Sequence, residues 1–174
     1  MRCRGFTLVE LMVTIVILGV VLAIGFPNFQ VSIRSNRVAT ASNELLASLS
    51  LARSEAIRNP GGAGFCASTA GTDCDGSWGD GWMVWIDADG NRLPGGVNDR
   101  VVRFVEARDT LNITTDADED EDDSIFFDHQ GRKVGAGLEF TISSVPCPAG
   151  QQLSRQLRLS STGQAAITPM DCPS

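Results

Sequence analysis

Residues 5 to 30, GFTLVELMVTIVILGVVLAIGFPNFQ, limit what this chain can become more than any other stretch. They hold one acid, Glu10, and no basic residue. The run exceeds the ~20 apolar residues that a bilayer crossing needs. As a helix, Phe6 to Phe29 would reach about 36 Å at 1.5 Å per residue. The preceding Met1-Arg2-Cys3-Arg4-Gly5 is shorter than the basic region of an ordinary secretory signal. The small residue suited to cleavage, Gly5, also stands before the apolar run rather than after it. Cutting there would leave the span on the mature protein. Arg2 and Arg4 place this leader in the cytoplasm by the positive-inside rule, and the body outside it.

A carboxylate inside such a span costs roughly 2.5–3.5 kcal/mol on insertion scales, so Glu10 needs a partner or a route to the interface. The bland alternative is that it snorkels from the membrane end. Gly19, Gly25 and Pro27 interrupt the span and mark places where a helix can bend or loosen.

Beyond the span the period stays helical. Val38, Ala41, Leu45, Leu49, Ala52 and Ala56 recur at three- and four-residue steps, with Arg37, Asn43, Glu44, Arg53 and Glu55 between them. That is an amphipathic stripe. It ends at Asn59-Pro60-Gly61-Gly62. Short β-like runs follow: Trp82 to Ile86, Val101 to Val105, Leu111 to Thr114, Ile125 to Phe127, Gly137 to Ser143, Gln156 to Ser160 and Gln164 to Thr168. Turns are expected at Asp128–Gly131 and Ser160–Gly163. Hairpin-linked strands behind one long helix predict an α+β fold, with an antiparallel β-sheet head laid on the helix stripe. The domains expected are a leader (1–5), a transmembrane helix (6–29), an amphipathic continuation (30–59) and a β-rich head (60–174).

The chain carries 14 Lys+Arg against 21 Asp+Glu, a net charge of −7. This balance argues against a general nucleic-acid binder, whose phosphate contacts come from clustered Lys and Arg. Of the cysteines, Cys3 lies in the leader, leaving Cys66, Cys74, Cys147 and Cys172. An even set behind a membrane-targeting segment reads as disulfides in an oxidising compartment. Four cysteines allow three connectivities. Cys66–Cys74 and Cys147–Cys172 are preferred because each closes a local loop. No metal site is expected from them, since the spacing holds no C-x-x-C and the only histidine is His129. No cofactor is implied.

Several other features invite a function. Asp87, Asp89 and Asn91 resemble the start of a calcium loop, but position 98 is Asn98 where an EF-hand requires an acid, so a polar turn is the better reading. The run Asp116 to Asp123, DADEDEDD, reads as a solvated loop, with weak calcium binding as the alternative. Trp78, Trp82 and Trp85 offer a ligand platform or, as the Gly-rich setting suggests, packing. Trp82, Val84 and Ile86 would share one strand face, Met83 and Trp85 the other. His129 has no catalytic companion, and no enzyme is read from this sequence.

The segment GFTLVELMVTIVILGVVLAIGFPNFQ resembles the class III signal of type IV pilins and type II secretion pseudopilins. Downstream, SNRVATASNELLASLSLARSEAIRNP, GWMVWIDADGNR, SIFFDHQGR and a late SSTG are similar to the GspH/FimT/FimU group. The resemblance implies that prepilin peptidase cuts after Gly5 and N-methylates Phe6. It implies that Glu10 pairs with the free amine of Phe6 on a neighbouring subunit. Two such charges are each costly in lipid and tolerable together. The implied partners are other pilins, met through the N-terminal helix, and the inner-membrane assembly platform. The implied location is a single pass through the inner membrane, N-terminus cytoplasmic and head periplasmic, before incorporation into a pilus or pseudopilus. A FimU-like minor pilin at the initiating or tip complex is favoured, with a secretion pseudopilin as the alternative. DNA-uptake members carry Gly-Arg-x-Arg near the C-terminus. Here the matching turn reads Gly163-Gln164-Ala165-Ala166, which lacks both arginines.

Overall fold

The computed structural model describes residues 6–116 and 124–173, the side chains of Pro27 and Asn28 excepted. The leader with Gly5, and residues 117–123 of the acidic run, lie outside them. The described chain divides into two compact units, Met1–Arg34 and Ser35–Ser174. Helix α1, Leu8–Arg58, contributes to both.

In the first unit α1 starts where Thr7 caps it. The Thr7 Oγ1 accepts the Glu10 backbone N–H at 3.2 Å. Thr7-Leu8-Val9-Glu10 has the spacing of a capping box, and an acid in the first turn suits the positive end of the helix dipole. The apolar side chains that follow, from Leu8 to Phe26, are exposed all round. A helix apolar on every face calls for burial, in a protein core or in lipid. This one is long and apolar enough to cross a membrane.

In the second unit the amphipathic stripe is buried as its period predicts: Val38, Ala41, Leu45, Leu49, Ala52 and Ala56 form one wall of the core. The helix stops where the sequence breaks it. Asn59 Nδ2 donates to the Glu55 carbonyl at 2.7 Å, and Gly62 N–H to the Asn59 carbonyl at 3.0 Å. Gly62 takes φ 105°, which glycine alone adopts freely.

The strands are β1 (Ala63–Ala67), β2 (Gly81–Ile86), β3 (Arg100–Glu106), β4 (Leu111–Thr115), β5 (Ile125–Phe127), β6 (Leu138–Ser144), β7 (Ser154–Leu159) and β8 (Ala165–Met170). They form two four-stranded antiparallel sheets, β3-β2-β1-β5 and β4-β6-β7-β8. The head therefore holds two sheets where hairpin counting suggests one. The division arises because β5 pairs back onto β1 rather than onto β6. Strand β1 has no counterpart among the expected strands. Its AGFCA sequence carries a glycine, which weakens a strand signal. Burial on both faces sustains it.

All three tryptophans are packing residues. Trp82 and Val84 face the helix stripe, while Met83 and Trp85 join Cys66 and Phe104 in a small cluster on the opposite face. A short 3₁₀ turn, Trp78–Asp80, sets Trp78 against Phe65 of the first sheet and Phe140 of the second, with ring centroids 5.1 and 4.9 Å away. The edge-on contact with Phe140 is the favourable aromatic geometry. At 3 %, 2 % and 1 % exposure, Trp78, Trp82 and Trp85 offer no ligand platform.

Candidate functional site

The N-terminal end of α1 is the first candidate. Phe6 is 76 % exposed, and Glu10 lies one helical turn beyond it with its backbone amide held by Thr7. The sequence announces Thr7 through the capping-box spacing, although the apolar pattern around it draws attention to Glu10 alone. Gly19 and Gly25 sit inside α1 with open space where a Cβ would stand, so nothing in this chain requires glycine there on steric grounds. Pro27 also lies within α1.

The cysteines form two disulfides, Cys66–Cys74 and Cys147–Cys172, with Cα atoms 5.6 and 5.5 Å apart. The second is reinforced by the backbone. Gly150 N–H donates to the Cys172 carbonyl at 3.3 Å, and Cys172 N–H to the Gln151 carbonyl at 2.9 Å. The C-terminal tail is thus tied to the β6–β7 connection. Just past the loop closed by the first bond, Asp75 accepts the backbone N–H and the hydroxyl of Thr69, each at 2.8 Å. Those hydrogen bonds hold the Asp75 carboxyl below its ordinary value. Ser77 does the same for Asp80 through its N–H and hydroxyl.

The loop between β2 and β3 gathers acids. The carboxylates of Asp87, Asp89 and Asp99 lie within 4.8 Å of one another. These three could hold a hard cation, but each already serves the loop. Buried Asp87 accepts Gly90 N–H at 2.7 Å and Arg92 N–H at 2.9 Å. Asp99 accepts the N–H groups of Ala88 and Gly96, both at 2.8 Å. Asn91 donates through its side-chain amide to Asp89 at 3.0 Å and is not part of the carboxylate group. The polar turn expected over Asp87–Asn91 is therefore what stands here. The addition is Asp99, brought in from across the loop, which local spacing does not signal. Asp116, the first residue of the acidic run, accepts Glu139 N–H at 2.7 Å and clips the end of β4.

Two turns meet on the helix. Asp128–Gly131 and Ser160–Gly163 close with hydrogen bonds of 2.8 and 2.9 Å. Lys133 N–H donates to the Ser161 carbonyl at 3.1 Å, joining the neighbourhoods of the two turns. Arg53 Nη1 donates to the Gly163 carbonyl at 2.9 Å. A Cβ on Gly163 would collide with the Gly131 carbonyl and crowd Arg53, so this junction demands glycine. His129 is exposed in the first turn. Burial opposes the charge on Asp128, yet hydrogen bonds from Arg132 and Gln130 prevail and lower its pKa. On β7, Arg158 is paired with Glu139 at 2.7 Å.

Residues 1–26 match the prokaryotic N-terminal methylation motif. Residues 41–163 match the family described as type II transport protein GspH. No curated protein and no solved structure matches the chain. These families are structural components of pilin-type assemblies rather than enzymes, and membership implies assembly with other pilins and prepilin processing. The methylation motif and the apolar helix fit a membrane-anchored pilin. The DNA-uptake reading is not favoured, because the turn at Gly163 lacks the arginines it requires. With the second match covering well over half of the 174 residues, the chain belongs to the GspH family of pseudopilins and minor pilins.

Proposed function

We propose that this chain is a minor pilin of a type IV pilus, placed in the initiating or tip complex. It enters the filament by pairing the Glu10 carboxylate with the Phe6 amine of a neighbouring subunit. The observation that carries this is Glu10 itself: the one acid, in the first turn of α1, amid the exposed apolar side chains from Leu8 to Phe26. In lipid that carboxylate gains most from an opposite charge at the same depth. A free amine at Phe6, created by cleavage after Gly5 and methylated by prepilin peptidase, is such a charge. The pairing also sets the axial register between helices.

In this scheme residues 1–5 are the leader, 6–29 cross the inner membrane once from a cytoplasmic N-terminus, 30–59 continue into the head, and 60–174 fold in the periplasm. The assembly platform then lifts the subunit from the membrane, with Gly19, Gly25 and Pro27 letting the span loosen. Glu10→Ala should leave leader cleavage largely intact and impair incorporation. Normal incorporation of that variant would sink the pairing role.

The second reading is a pseudopilin of type II secretion, favoured by the description of the matched family. Deleting the chain's gene separates the two. Loss of surface pili with normal export of secreted enzymes supports the pilus, and the reverse supports the pseudopilus.

A further inference from the structure

Beside the last turns of α1 runs a groove of about 500 Å³. Leu46, Leu49 and Ala165 give it an apolar floor, and Ser50, Arg53 and Ile57 stand along the helix side. Ile57 is 56 % exposed, a large apolar side chain with no cover. It also lines a second cleft, shared with Arg58, Pro60 and His129. No residue lining either cleft is acidic, although the chain carries 21 acids against 14 Lys+Arg. Arg58 is engaged by Glu55 at 3.4 Å, whereas Arg53 has no carboxylate partner among the described residues.

The groove is preformed. Its far wall is Gly163 to Ala165, where Gly163 is held by Arg53 and set hard against the Gly131 carbonyl. A rigid site spares a partner part of the ordering cost of binding. Leu46 to Ile57 covers ~16 Å of helix at 1.5 Å per residue, the length of about five residues of extended chain.

We propose that this groove receives an extended acidic segment of a different pilin-class subunit, an aliphatic side chain on the Leu46–Leu49 floor and a carboxylate at Arg53. The apolar floor selects the aliphatic group. The Arg53 guanidinium, which holds the Gly163 carbonyl but meets no carboxylate among the described residues, stands in walls free of acids and selects the negative charge. The proposal rests on the chain being a filament subunit.

The test places a photo-crosslinking residue at Ser50 of the full-length chain in the membranes of producing cells, with Thr168 on exposed β8 as control. The Ser50 probe should yield an adduct with another pilin-class subunit, and Thr168 should not. Ile57→Glu sets a carboxylate one turn from Arg53, where it competes with and repels that of the incoming segment, and should lower that adduct by about tenfold. Ile57 is exposed, so this variant should fold, and an intact Cys147–Cys172 bond verifies it. An adduct only with lipid or with a second copy of this chain overturns the proposal, as does one indifferent to Ile57→Glu. Absence of an adduct while the chain still co-isolates with other pilins overturns the groove alone. Failure to co-isolate at all overturns the filament reading with it.

Discussion

Trp82 Nε1 donates a hydrogen bond to Ser48 Oγ at 3.0 Å inside the core, joining β2 to the buried face of α1. Ser48 in turn donates to the Glu44 carbonyl at 2.9 Å. Glu44 also pairs through its side chain with Arg108, just beyond β3. One helix stretch therefore holds both the first sheet and the connection toward the second.

Ser48→Ala should strand the indole N–H in an apolar setting. Leaving a buried donor unsatisfied costs about 1–3 kcal/mol. Urea unfolding of the chain in detergent micelles should show a lower midpoint with an unchanged slope. An unaltered midpoint would mean that water replaces the hydroxyl.

Gly64 stands opposite Trp85 in the β1–β2 register, and the Trp85 ring lies where a Gly64 Cβ would be. Trp85 is 1 % exposed and has no free space to retreat into. Gly64→Ala should destabilise the head by about 1–3 kcal/mol, the usual cost of overpacking. Thermal melting followed by tryptophan fluorescence checks it. The same substitution at Gly19, where a Cβ meets nothing within 4 Å, should leave the melting temperature of the head unchanged.

Replacing Cys172 by Ser should release the C-terminal tail and lower stability by roughly 2–4 kcal/mol, the usual worth of a disulfide. Non-reducing peptide mapping of the parent chain should find Cys147 joined to Cys172 and Cys66 to Cys74. Equal unfolding midpoints for the parent under oxidising and reducing conditions would contradict this.

Asp75, Asp80 and Asp128 all have carboxyl pKa values lowered from 3.8 by hydrogen bonds from Thr69, Ser77 and Arg132. A carboxylate whose folded pKa is depressed stabilises the fold fully above its unfolded value. That contribution is lost as pH falls below 3.8 through the lower folded values. Asp75 and Asp80 are exposed and Asp128 is half-buried, so the effect is modest. Unfolding midpoints measured from about pH 5 to about pH 2 should decline, and less steeply once all three are asparagine. A flat profile for the parent would contradict it.

Much of this protein is written locally. The stripe from Val38 to Ala56 repeats within one helical turn, so its burial follows from period alone. The stop at Asn59-Pro60-Gly61-Gly62 and the turns at Asp128–Gly131 and Ser160–Gly163 rest on residues whose own backbone preferences dictate them. Glu10 stands out because a lone carboxylate in an apolar span has a cost that needs no neighbours to calculate. The family match then extends these signals to a pilin-type assembly.

Other features depend on residues far apart in the chain. β1 is a strand because β2 and β5 flank it and Trp85 covers Gly64, a compensation invisible in AGFCA. Asp99 joins Asp87 and Asp89 because the β2–β3 loop folds back on itself. Arg53 reads as one more charge between apolar positions until the Gly163 turn arrives to accept its hydrogen bond. Helix period, breakers and the isolated acid are properties of neighbouring residues and survive in any context. The division into two sheets, the burial of all three tryptophans and the acid-free groove at Ile57 depend on which distant surfaces exclude water together, and that choice exists only in the folded chain.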